Sequence, residues 1–144
     1  MTAKEFLRRA RSVDRRVDEA QERVKRLRAR LEAGRMSSVT GMPRGGGSDW
    51  TETADRLIEL EQVVNQRTRE LVQWKLAAID AIRSVEEPRL AEVLELYYID
   101  ALTWEQVAQR MGFKDVRWVY ELHGRALKWV TVPVIDDLTD HVQL

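Results

Sequence analysis

The sequence predicts an all-α protein: a long antiparallel helical hairpin, coiled-coil-like, followed by a C-terminal three-helix helix-turn-helix module. Three features lead there. An unbroken heptad seam runs through the first quarter, an apolar stripe at seven-residue spacing runs through the middle, and the last third splits into short amphipathic segments bounded by capping residues. At 44% hydrophobic and 33% charged residues, the chain is rich in both classes, as amphipathic helices require.

The first helix is expected over about 3–33. Thr2 and Glu5 form a T-x-x-E capping box, in which hydroxyl and carboxylate each satisfy a free backbone N–H. Phe6, Ala10, Val13, Val17, Ala20, Val24, Leu27 and Leu31 then alternate at spacings of four and three, the repeat of a coiled-coil seam. Gly34 is a plausible C-terminal stop. Residues 34–48 form a Gly-rich linker, because the run Gly45-Gly46-Gly47 would cost a helix about 1 kcal/mol per glycine.

The second helix is expected over 49–87, capped by Ser48 or Asp49 and ended by Pro88. Trp50, Leu57, Val64, Leu71, Ala78 and Val85 recur every seventh residue. Thr53, Leu60, Arg67, Trp74 and Ala81 take the partner positions, so Arg67 is the one charge in that seam. Ile58, Val63, Val72, Ile79 and Ile82 widen the stripe beyond what one partner helix needs, so the helix should meet the C-terminal module or a second chain. Two heptad helices around a flexible loop imply a hairpin, with a homo-oligomer, a dimer first, as the natural way to cover the remainder.

The C-terminal module spans 88–130. Pro88 suits a first helical position, and Leu90, Val93, Leu94 and Tyr97 make one face before a turn at Ile99-Asp100-Ala101. Thr103 and Gln106 form a second capping box, with Val107, Ala108 and Met111 facing inward and Gly112 placed for a left-handed turn. Asp115 caps a third helix reaching about Val130, buried through Val119, Leu122, Ala126 and one or both of Trp129 and Val130. Arg117, Trp118, Tyr120, Glu121, Arg125 and Lys128 are left outward or at the edge. Residues 131–144 form an acidic tail with Pro133 and no periodicity.

In a helix-turn-helix the N-terminal half of the last helix enters the major groove. Arg117 then suits guanine edges, Glu121 suits cytosine, and Tyr120, Arg125 and Lys128 suit phosphates. Thr103 and the free N–H groups beside it suit a further phosphate. The competing structural readings put Trp104 and Trp118 in the core and make His123 a partly buried helical residue. Gly124 is out of place inside a helix, and close approach of another helix or of DNA would explain it.

Charge is distributed unevenly around a net of zero. Residues 1–35 hold twelve Lys/Arg against six Asp/Glu, a net of +6; residues 36–87 and 131–144 each sum to −3; residues 88–130 hold six of each. The chain has no cysteine, only His123 and His141 as histidines, no apolar run of 18 residues and no signal-peptide pattern. No nucleophile–base pair or phosphate-binding glycine loop is evident. The expectation is a cytoplasmic protein that is not an enzyme, carries no cofactor or metal and does not enter membranes.

The stretches LTWEQVAQRMG and WVYELHGRAL resemble region 4 of sigma-70-type RNA polymerase sigma factors, the helix-turn-helix that reads the −35 promoter element. The opening MTAKEFL, the linker Met42-Pro43-Arg44-Gly45-Gly46 and the segment 117–127 look like a family of small phage and prophage proteins of Gram-positive bacteria. These are grouped with sigma-like late-gene and autolysin regulators of the ArpU/RinA type. The turn at 112–116 is one residue longer than the usual spacing, and nothing resembles sigma region 2. The resemblance implies a transcription regulator that binds double-stranded DNA, with host RNA polymerase as a further partner. Two alternatives stand beside it: a protein-interaction module that contacts polymerase without reading DNA, and a small terminase-like DNA-packaging subunit.

Overall fold

A computed structural model describes residues 1–39 and 47–134, with the helical backbone alone over 35–39 and 47–50. Residues 40–46 of the linker and the tail from 135 onward lie outside the described residues, as do the side chains of Ser48, Asp49 and Trp50. Among the described residues every regular element is helical: α1 (Ala3–Arg11), α2 (Val13–Val39), α3 (Gly47–Arg83), α4 (Pro88–Leu94) extended by a π-helical turn (Glu95–Ile99), α5 (Trp104–Met111) and α6 (Val116–Leu127). The protein is all-α, and no described helix is long and apolar enough to cross a membrane.

The capping box of α1 forms as the sequence dictates: Glu5 N–H donates to Thr2 Oγ1 and Thr2 N–H donates to the Glu5 carboxylate. The expected single helix is instead broken at Ser12. Its hydroxyl and its N–H both turn back to the Arg9 carbonyl, at 3.0 and 3.2 Å, a local bond that competes with the helical ladder. At Gly34 the expected stop does not occur, and α2 continues to Val39; one glycine weakens a helix without ending it. Gly47, assigned to the linker, is the first residue of α3. The far end of α3 comes at Arg83 rather than Glu87, where Ser84 Oγ bonds the Ala81 carbonyl and Val85 N–H bonds that of Ile82.

Two compact units result. One combines Met1–Asp14 with the chain from Glu70 onward; the other is Arg15–Arg69. Within the second, Val24 of α2 and Leu57 of α3 are buried, Leu27, Leu31, Leu60 and Val64 are half-buried, and Arg28 pairs with Glu61. Arg67 is exposed there rather than enclosed by the seam.

The first unit holds the main core. Phe6, Leu7 and Ala10 of α1 join Trp74, Ala78 and Ile82 of α3, Leu90, Val93 and Leu94 of α4, and Val107, Val119 and Ala126 of the last two helices. Trp74 is the keystone. Its ring lies 5.4 Å from that of Phe6, its indole N–H donates to the Phe6 carbonyl at 2.9 Å, and Arg9 sits over its face. A buried indole needs such an acceptor, since leaving its N–H unpaired costs about 1–3 kcal/mol.

The π turn that closes α4 resets its buried face. Asp100 N–H reaches back to the Glu95 carbonyl, and Ala101 takes φ 56°, a left-handed value that ends the helix. Tyr98 is thereby enclosed, whereas Tyr97, the residue expected inside, is half-buried.

Candidate nucleic-acid interface

Helices α5 and α6 are set by short-range chemistry. Thr103 Oγ1 accepts from Gln106 N–H and the Gln106 side chain accepts from Thr103 N–H, so both ends of the capping box close. Val107 and Ala108 are buried, and Ala108 is small where the helices approach. Gly112 ends α5 at φ 80°, a conformation that a Cβ disfavours. Asp115 then caps α6, its Oδ1 accepting from Arg117 N–H at 3.0 Å.

The buried side of α6 is Val119, His123 and Ala126, with Leu122 half-buried. The helix stops at Leu127, short of Val130; of the two residues expected inside, Val130 packs half-buried against the core and Trp129 lies beyond the last turn at 68% exposure. Every residue singled out for DNA is accessible: Thr103, Arg117, Trp118, Tyr120, Glu121, Arg125 and Lys128 are all exposed. Trp118, at 59%, is an outward side chain and not a core anchor, whereas Trp104 is half-buried. No atom would lie within 4 Å of a Cβ at Gly124, so no neighbouring helix accounts for that glycine.

Arg117 is not an unengaged cation. Its Nε donates to Asp115 Oδ2 at 2.8 Å and its Nη2 lies 2.7 Å from the same oxygen. The Asp115 carboxyl is held below the usual range by that side-chain hydrogen bond, and the guanidinium is raised in turn. The cap of α6 therefore also fixes the direction of its first arginine.

Behind this edge lies an aromatic stack that the sequence did not disclose. Tyr97 and Trp104 stack with centroids 3.6 Å apart and planes 9° apart. Tyr120 and His123 meet Trp104 edge-on, at 5.5 and 4.7 Å. On the other face of Tyr97 sits Arg11 of α1, 4.3 Å from the ring centre. Its Nε donates to the Tyr97 carbonyl at 3.0 Å and its Nη2 to that of Leu102 at 3.2 Å. Those carbonyls border the π turn and the loop before α5, so a cation at that helix end is favourable. One arginine thus ties α1 to the segment that positions α5.

Under the stack, Tyr98 Oη and His123 Nε2 share a buried hydrogen bond of 2.6 Å. Burial pushes the Tyr98 phenol up to about 12, helped by Tyr97. Burial likewise lowers His123 to about 4, with the cations of Lys4 and Arg8 acting in the same direction. His123 is therefore a neutral structural partner at ordinary pH, with no role in proton transfer assigned to it.

A hollow of about 230 Å³ opens between the first turns of α1 and the aromatic stack, with Lys4 and Arg8 on one side and Trp104, Tyr120 and His123 on the other. From sequence the basic first helix reads either as a cradle for DNA phosphates or, with Glu and Asp interleaved, as a solvated face; Lys4 and Arg8 stand 100 and 96 residues from Trp104, and no local pattern marks their contact. Compared with family models, curated proteins and solved structures, the chain matches none.

Proposed function

We propose that the chain is a DNA-binding transcription regulator of phage or prophage type, with α5 and α6 acting as a sigma-70 region 4-like helix-turn-helix. The observation that supports this most is the division of α6. One side is sealed by Val119, His123 and Ala126; the other leaves Arg117, Trp118, Tyr120, Glu121, Arg125 and Lys128 accessible together.

In this reading α6 lies in the major groove. Asp115 occupies Nε and one side of Nη2 of Arg117, and the remaining guanidinium hydrogens point a bidentate donor at guanine O6 and N7. Glu121 accepts from cytosine, and Tyr120, Arg125 and Lys128 contact phosphates. The Thr103 hydroxyl is engaged by its capping box, so the free N–H groups at the start of α5 make that phosphate contact. The exposed apolar side chains Val72 and Leu76, in the same unit as α6, support self-association through α3, which would present two recognition helices to two half-sites.

DNase footprinting on the DNA upstream of the protein's own gene tests the reading. A protected site is expected, and Arg117→Ala with Lys128→Ala should abolish it. Unchanged salt-sensitive binding by that double variant would remove α6 from the groove.

The neutral charge of residues 88–130 favours a second reading, a module that binds RNA polymerase without reading DNA, since DNA-binding domains are usually basic. Capture of polymerase from a nuclease-treated lysate, together with no footprint, would establish it instead.

A further inference from the structure

We infer that Lys4 and Arg8 of α1 complete the DNA-binding surface, supplying phosphate contacts beside α6 that the charge-neutral module 88–130 lacks. The inference rests on the proposed reading of α5 and α6, and it adds a separate element to the interface.

Four cations lie on α1 within one compact unit with α5 and α6. Two are committed to structure: Arg9 covers Trp74, and Arg11 is bonded to the carbonyls of Tyr97 and Leu102. The other two, Lys4 and Arg8, are exposed and make no ion pair among the described residues. They stand four residues apart, hence on one helical face. That face borders the same hollow as Tyr120, an outward residue of α6, and Trp104, the first residue of α5.

Their position has an electrostatic consequence. Both cations act on His123, which stays neutral, and no carboxylate borders the hollow. Two unneutralised positive charges thus adjoin the accessible edge of α6 without a protein counter-ion. A polyanion whose charges repeat at short intervals answers that arrangement, and the phosphates of a duplex already in contact with α6 are the nearest such groups. Aromatic edges around the hollow leave room for a phosphate and its water while adding no competing negative charge.

The test is the salt dependence of duplex binding by the full chain, measured by fluorescence anisotropy with a mixed-sequence 40-base-pair duplex from 50 to 300 mM KCl. Each lost phosphate contact lowers the slope of log K against log salt by about 0.9. Lys4→Ala with Arg8→Ala should therefore reduce the slope by about 1.8, whereas Arg23→Ala with Arg26→Ala, exposed on α2, should leave it unchanged. Circular dichroism of each variant checks that the helices persist; alanine is at least as good a helix former as the residues replaced. Duplex binding with an unaltered slope in the Lys4/Arg8 variant overturns the inference and leaves the α6 reading standing. An equal fall in the Arg23/Arg26 variant also overturns it, by making the effect one of total charge. No duplex binding by the unmodified protein at 50 mM salt overturns the α6 reading and this inference together.

Discussion

Acidification should destabilise this protein largely through His123. The ring is 9% exposed, bonded to Tyr98 and flanked by the cations of Lys4 and Arg8, with Tyr97, Trp104 and Tyr120 packed around the same site. Burial is the chief cause of a folded-state value near 4 against an ordinary 6.5. Above pH 6.5 both folded and unfolded states hold a neutral ring and no penalty exists. Below it the unfolded chain takes up the proton first, and stability falls until the folded ring also titrates near pH 4. At about 1.4 kcal/mol per pH unit, the full loss is about 3 kcal/mol, with about 1 lost by pH 6 and about 2 by pH 5. Urea unfolding at pH 7.5 and pH 5.0 reads this directly when His123→Gln is compared with the parent. The glutamine amide can still meet the Tyr98 hydroxyl but does not titrate, so the parent should lose about 2 kcal/mol more than the variant over that interval. Parallel losses in the two proteins, or a His123 titration near 6.5 by NMR, would refute the burial argument.

Four other substitutions probe the scaffold. Arg11→Ala strips the donors from two part-buried carbonyls and the cation from Tyr97, and should lower stability by about 2 kcal/mol in urea unfolding, whereas Arg8→Ala should shift it little. Gly112→Ala forces a Cβ into φ 80° and should cost about 1–2 kcal/mol, seen as a lower thermal midpoint. Gly124→Ala meets no neighbour and should gain about 1 kcal/mol by raising helix propensity in α6; if duplex affinity falls while stability rises, the glycine serves the approach of a DNA backbone.

Elements governed by neighbours in sequence were legible in advance. Both capping boxes, the left-handed Gly112, the Asp115 cap and the Pro88 start of α4 form as read, because each needs residues no more than four apart. The apolar positions of the first helix are the ones withdrawn from solvent, although the helix breaks at Ser12: Phe6, Ala10, Val13 and Val24 are buried, and Val17, Ala20, Leu27 and Leu31 are half-buried. The exposed side chains of α6 followed from the same periodicity. What failed were places where two local rules compete. Ser12 can continue a helix or bond back to Arg9, Gly34 can stop one or be crossed, and a π turn can exchange Tyr97 for Tyr98. Ser12 is settled by its own bonds to the Arg9 carbonyl, and Tyr98 by its bond to the buried His123.

By itself the sequence determined the all-α class, the caps, the turn and the accessible edge of the last helix, since these depend on interactions within a turn or two of chain. Tertiary structure alone decided that α1 belongs with the C-terminal helices. Only there do Arg11, Tyr97 and Trp104 stack, does His123 find Tyr98, and do Lys4 and Arg8 come beside Tyr120. Such contacts bring separate helices together through hydrogen bonds and ring contacts, Arg11 and Tyr97 standing 86 residues apart, and they leave no periodic trace in the sequence.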